Sequence, residues 1–278
     1  MVKRYSQIYT SGAVNMAPTE TQLPPAVALV MGPIVAMRVT VAASGTGTLS
    51  STAIGYALSE FQIEDANQTP LMDLKNVAGT RHDIPVMSYV LSPRGTWIGD
   101  GPNVSTALNS VSWVLYAPFA LARQPLYIEP TIAPYTVWGT GATGGTAIIT
   151  VDVLTDDAYQ GPVKTMGLKT QQLSLPAGDN VIGDRLDKTA PILDLVAYTP
   201  GGDSALNFID FRSGMSVELQ KEGPNYFNVE DEMLTVSGHQ SGLFNLRNTP
   251  FKADASTYLD INPTAASTWI LYQIEQID

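Results

Sequence analysis

The sequence predicts an all-β protein made of two successive β-rich halves. Three observations carry this prediction. Short apolar runs, many of them alternating with polar residues, are separated by Gly, Pro, Asn and Asp. Helical candidates are few and short, and a set of sequence correspondences recurs in the same order in both halves. Many short strands with frequent turns indicate a sandwich or barrel, and 278 residues suit about two compact units.

Residues 1–22 are polar, short of large aliphatics and tipped by Lys3 and Arg4, and they read as an extended N-terminal arm without the apolar core of a secretory leader. The longest apolar run, Ala26–Met37, contains Gly32-Pro33 and ends at Arg38. It falls well short of the roughly 20 residues that span a bilayer and reads as buried strand. In the segment Ala147–Leu154, Ala147, Ile149, Val151 and Val153 alternate with Thr150 and Asp152, the period of a half-buried strand. Further strands are expected at Ile34–Val41, Val86–Leu91, Ser112–Tyr116, Leu126–Ile128, Ile192–Tyr198, Ala205–Phe211, Met215–Leu219, Tyr258–Ile261 and Thr268–Ile274. Two helices are expected: Thr69–Val77, with Thr69 as cap and Pro70 in the first turn, and Asn228–Leu234, with Glu230, Asp231 and Glu232 in its first turn.

The repeat runs as follows. Leu23-Pro24 matches Leu175-Pro176, and Pro33-Ile34-Val35 matches Pro191-Ile192-Leu193. A Gly-rich turn and a second strand follow in each half: Ser44-Gly45-Thr46-Gly47 before Ala53–Tyr56, and Pro200-Gly201-Gly202-Asp203 before Ala205–Phe208. Phe119-Ala120-Leu121 with Pro125-Leu126 corresponds to Phe244-Asn245-Leu246 with Pro250-Phe251, and each half closes on a long strand, 146–154 and 268–276. The excess length of the first half falls between 78 and 118, and Tyr159-Gln160-Gly161-Pro162 opens a linker.

Composition narrows the function classes. With 15 Lys+Arg against 26 Asp+Glu and a net charge of -11, the chain lacks the basic surface that neutralises phosphates, so no specific nucleic-acid partner is expected. The absence of Cys removes disulfide scaffolds, Cys-ligated zinc and thiol nucleophiles. Only 15% of residues are charged, against about 25% on average, which suggests that much of the surface meets protein.

Two histidines, His82 and His239, lie in loops, and no Gly-x-Ser-x-Gly elbow frames a nucleophile for an arrangement such as Ser241 with His82 and Asp83. Gly139, Gly141 and Gly144 match a dinucleotide fingerprint in spacing but precede a strand rather than a helix. Asp156 and Asp157 in the first half, and Glu230 and Asp231 in the second, are candidate calcium ligands, although neither cluster has an EF-hand pattern. No other cofactor is expected. Glu218 with Glu230 offers a carboxylate pair that no spacing selects for glycoside hydrolysis. Trp97, Trp113, Trp138 and Trp269 form a sugar-stacking platform if exposed and core if buried.

Thr146–Asp157 running into Gly161-Pro162, the run Ala190–Glu218 with Phe208-Ile209-Asp210, the acidic helix near 228–234 and the terminal Thr257–Gln276 together carry a resemblance. The chain resembles the double jelly-roll major capsid proteins of tailless icosahedral viruses, in particular the smaller PRD1-adenovirus-type members from membrane-containing bacteriophages. The resemblance implies two consecutive jelly-roll β-barrels: an arm at 1–22, a first jelly roll at 23–160, a linker at 161–172 and a second jelly roll at 173–278. It implies a non-enzymatic virion protein whose homotrimers form pseudo-hexagonal capsomers of an icosahedral shell over an internal membrane. Its partners are then other copies of itself, minor capsid, penton or spike proteins, and lipid headgroups met by Lys3 and Arg4. The alternatives from the residues are a glycan- or receptor-binding β-sandwich and, lower, a jelly-roll glycoside hydrolase.

Overall fold

The computed structural model describes residues 3–30, 32–45, 48–49, 58–77, 81–84, 86–87, 111–115, 125–137, 139–140, 145–159, 165–182, 186, 188–213, 216–234, 239–247 and 251–277. They form two compact units, Met1–Thr165 and Met166–Asp278.

Unit 1 has eight principal strands: β1 Lys3–Thr10, β2 Ala26–Leu29, β3 Ile34–Gly45, β4 Leu58–Glu64, β5 Pro70–Val77, β6 Val111–Leu115, β7 Pro125–Ile132 and β8 Gly145–Asp156. One sheet runs β1-β8-β3-β6 and the other β2-β7-β4-β5, with short flanking pieces at Thr21–Gln22 and Arg81–His82. The antiparallel partners are therefore nested, first with eighth, second with seventh, third with sixth and fourth with fifth. That is the jelly-roll wrapping.

Unit 2 repeats it strand for strand. Its elements are β9 Thr165–Leu175, β10 Asn180–Val181, β11 Ile192–Tyr198, β12 Leu206–Ser213, β13 Ser216–Glu222, α1 Pro224–Leu234, β14 Leu243–Arg247, β15 Tyr258–Pro263 and β16 Ser267–Ile277. The sheets run β9-β16-β11-β14 and β10-β15-β12-β13, so each strand of unit 1 corresponds to the one eight places later. Each unit is thus a jelly roll, as the sequence predicts, and among the described residues its two sheets remain separate, facing layers.

Alternation builds the cores. On β8, Ala147, Ile149, Val151 and Val153 are buried, and β3 answers with Val39 and Val41. A bulge at the start of β3, where Thr155 pairs Ile34 but Leu154 pairs Ala36, lets both Ile34 and Met37 face inward despite their odd spacing. In unit 2 one cluster joins Leu195, Trp269 and Phe244 of the first sheet to Ile209, Phe211 and Leu259 of the second. Phe244 stacks on Trp269 at 5.7 Å and meets Phe227 of α1 edge-on at 5.1 Å. Trp269 is thus core, its Nε1–H donating to Ser267 Oγ at 2.9 Å, while Trp97 and Trp138 lie outside the described residues, as does the Trp113 side chain.

Several expectations are corrected. Residues 3–10 are not an arm: they form β1, paired along its length with β8. The expected linker 161–172 runs into β9, an 11-residue strand of the second unit. Thr69–Val77 is no helix. Asp65 Oδ1 accepts the N–H groups of Asn67 and Thr69, closing a turn with Gln68 at φ 59, and Pro70–Val77 leaves it as a hairpin partner of β4 with Met72 and Leu74 buried. Helix α1 starts at Pro224, four residues before the expected start, so Glu230–Glu232 fall past its first turn, which holds no acid. Val86 and Met87 are helical and buried, and the rest of that expected strand lies outside the described residues, as do Ala53–Tyr56 and Phe119–Leu121. Among the described residues, no helix is long and apolar enough to cross a membrane.

Candidate functional site

The carboxylates singled out from the sequence fall at two places, one in each unit. In unit 1, Asp156 ends β8 and its Oδ1 accepts the Ala158 N–H at 3.0 Å, while Asp157 pairs with Arg4 of β1 at 3.1 Å. These two acids tie a turn and a strand end. The same sheet holds a deeper pair: Arg38 of β3 donates twice to Asp152 Oδ2, at 2.7 and 3.1 Å, and also to the Tyr5 hydroxyl, its guanidinium 5.3 Å from the Tyr5 ring centre.

In unit 2, Glu230 and Asp231 are sequence neighbours with different surroundings. Asp231 is buried, and its Oδ2 lies 2.6 Å from Nδ1 of His239, whose Nε2 lies 2.9 Å from Oδ1 of Asp203. With a carboxylate facing each ring nitrogen, the protonated ring donates on both sides. Burial works against that charge, but the hydrogen bonds to Asp231 and Asp203 outweigh it and raise the His239 pKa above its ordinary value.

Asp203 Oδ1 also accepts the Gly242 N–H at 2.7 Å, and the Asp203 N–H donates to Ser241 Oγ at 3.1 Å. Gly242, at φ +82, is packed so tightly that a Cβ would stand 2.2 Å from the Thr199 carbonyl oxygen. The 203–205 turn, α1 and the 239–242 loop are thereby held together by one buried histidine.

Ser241 serves Asp203, and Asp83, beside His82, accepts the Lys75 N–H at 2.9 Å. Among the described residues no group of three or more His, Asp and Glu side chains is placed to hold a metal ion. Asp203 was missed by sequence reasoning, and no local signal marks it, since its partner lies 36 residues away.

Glu230 instead lines a groove of about 600 Å³ along α1 with Glu222, Asn225, Tyr226, Val229 and Met233. Its carboxyl is raised, first by burial and then by neighbouring Asp231. Tyr226, Val229 and Met233 recur at helical spacing on the outer face and are 39, 56 and 80% exposed, while Phe227 points into the core. This surface offers apolar contact rimmed by negative charge, the makings of an interface rather than of a reaction centre.

No family model matches the chain, and no curated protein matches it in sequence. Solved structures do match, and they define the fold as that of the double jelly-roll capsid proteins. The crystal structure of the STIV MCP aligns with a TM-score of 0.63 at 13% identity over 100% of this chain and 97% of that one. A second, from the atomic structure of Sulfolobus Turreted Icosahedral Virus, aligns with a TM-score of 0.64 at 14% identity over 99% and 90%. The major capsid protein P2 from Bacteriophage PM2 gives 0.60 at 9% identity over 100% and 98%.

Proposed function

We propose that this chain is a viral major capsid protein that acts by self-assembly, as a homotrimer placing six similar jelly rolls in a pseudo-hexagonal capsomer of an icosahedral virion shell. The observation that supports this best is the doubled eight-strand wrapping, which aligns end to end with capsid proteins of matching length. A charged fraction of 15% supports it further, since wide subunit contacts then bury neutral surface without stranding charges. Its partners are copies of itself and the other proteins of the shell, and its work is structural rather than catalytic. An internal membrane under the shell belongs to the same reading, and lipid analysis of purified particles tests that part. The central test is native mass by light scattering across a concentration series. A stable mass of three chains is expected, and a monomer at every concentration overturns the proposal.

A further inference from the structure

Helix α1 turns an apolar face to solvent. Tyr226, Val229 and Met233 run along it for about 10 Å, two turns of helix, and form the floor of the groove that Glu222 and Glu230 border. The charge around this face is one-sided. Burial raises the Tyr226 hydroxyl, and Glu230 and Glu222 raise it further, so both carboxylates act on that one ring. Glu232 continues the acidic row on the exposed side of the helix. The acids of α1, Glu230, Asp231 and Glu232, all stand in its C-terminal half, where the helix dipole is already negative, and the helix contains no Lys or Arg. His239 answers Asp231, but Glu222, Glu230 and Glu232 have no ion pair among the described residues. Lys221, the neighbouring base in sequence, is turned away: its ammonium lies 5.4 Å from the centre of the Phe208 ring and acts on Asp260.

We infer that the α1 groove docks a basic, apolar segment of another protein. Large aliphatic side chains of that segment settle against Tyr226, Val229 and Met233, and flanking Lys or Arg side chains reach Glu222, Glu230 and the negative end of the helix. Charge selects this occupant. The same face of a second copy, or an anionic lipid surface, meets the groove with like charge. Met233, flexible and polarisable, shapes itself to the apolar side chains it receives. The inference goes beyond the self-assembly reading and does not rest on it.

The test is fluorescence anisotropy on the full chain with three short labelled peptides, of leucine with lysine, leucine with glutamate, and serine with lysine. Saturable binding of the leucine–lysine peptide is expected, with the other two about tenfold weaker or worse. Val229→Ser with Met233→Ser should weaken the leucine–lysine peptide by a similar factor. Both side chains are more than half exposed, so folding should survive, and far-UV circular dichroism verifies it. Glu222→Lys with Glu230→Lys should reverse the preference, so that the leucine–glutamate peptide binds better. Glu20→Lys with Glu64→Lys makes the same change of net charge on unit 1 and should leave the affinity unaltered. Absence of binding, equal binding of the three peptides, or an equal loss in the unit 1 variant overturns the inference. So does a fall in the native mass of the chain on Val229→Ser with Met233→Ser, which would put a second copy in the groove, or binding to phosphatidylcholine vesicles that this variant abolishes. None of these peptide results bears on self-assembly, which the native mass of the wild-type chain decides separately.

Discussion

Replacing His239 with leucine removes the buried cation that joins Asp203 to Asp231 while keeping similar volume. Breaking a buried charge pair from one side costs about 3–5 kcal/mol, because the abandoned carboxylates stay partly dehydrated. His239 is 8% exposed but Asp203 is 27% exposed and regains water on its own, so the lower end, about 3 kcal/mol, is expected. For a chain of this size that corresponds to a fall in Tm of roughly 6–12 °C. The pH dependence is the sharper signature. The folded-state pKa of His239 is raised, so its stabilisation is fully present below the ordinary histidine pKa of about 6.5 and is lost as pH rises through the folded value. Thermal unfolding of wild type and His239→Leu should therefore differ most near pH 6, and the gap should shrink as pH rises above that. A gap of under about 1 °C at pH 6, or one that does not change with pH, would refute the bridge as a source of stability.

Other outcomes follow from single contacts. Gly242→Ala must relieve a 2.2 Å approach to the Thr199 carbonyl at positive φ, and a loss of more than about 2 kcal/mol is expected by urea unfolding. Trp269→Ala empties the centre of the unit 2 core and should cost about 3–5 kcal/mol by the same measurement. Asp194 has its carboxyl pushed up to about 7 by burial, so its ionisation opposes folding as pH rises from about 4 toward 7. Asp194→Asn should be more stable than wild type at pH 8, with the advantage gone near pH 4, as chemical-denaturation midpoints will show. Arg38→Met leaves Asp152 unpaired beneath Tyr5, and hydrogen exchange should show faster amide exchange along β1.

What the sequence made legible was the part written in apolar alternation. Strands β3, β8, β11 and β16 carry continuous inward rows, and the closing strands of the two halves were paired correctly for that reason. The two boundary errors are one error made twice. The expected arm holds β1 and the expected linker runs into β9, which are equivalent first strands at the sheet edges. In β1 only Tyr9 is buried, so the strand carries no hydrophobic period, and its pairing is set by a partner 140 or more residues away. The repeat was read in the right order but in slipped register. Phe119–Leu121 was set against Phe244–Leu246, whereas topology sets Val111–Leu115 against Leu243–Arg247. Carboxylates were legible as clusters but not as partners: Asp231 meets Asp203 only through a histidine eight residues along the chain from the first and 36 from the second.

The nested pairing also sets a timetable for synthesis. The innermost hairpin, β4 with β5, has both strands within residues 58–77 and can close as soon as they clear the ribosome. The outermost pair cannot: β1 emerges first and finds its partner only when β8, ending at Asp156, has been made. Through that interval β1 waits with open backbone groups on both edges. Its polar sequence, with Lys3, Arg4, Ser6 and Gln7, resists joining the wrong neighbour during the wait. The feature that hid β1 from a hydrophobic reading thus protects it until β8 arrives.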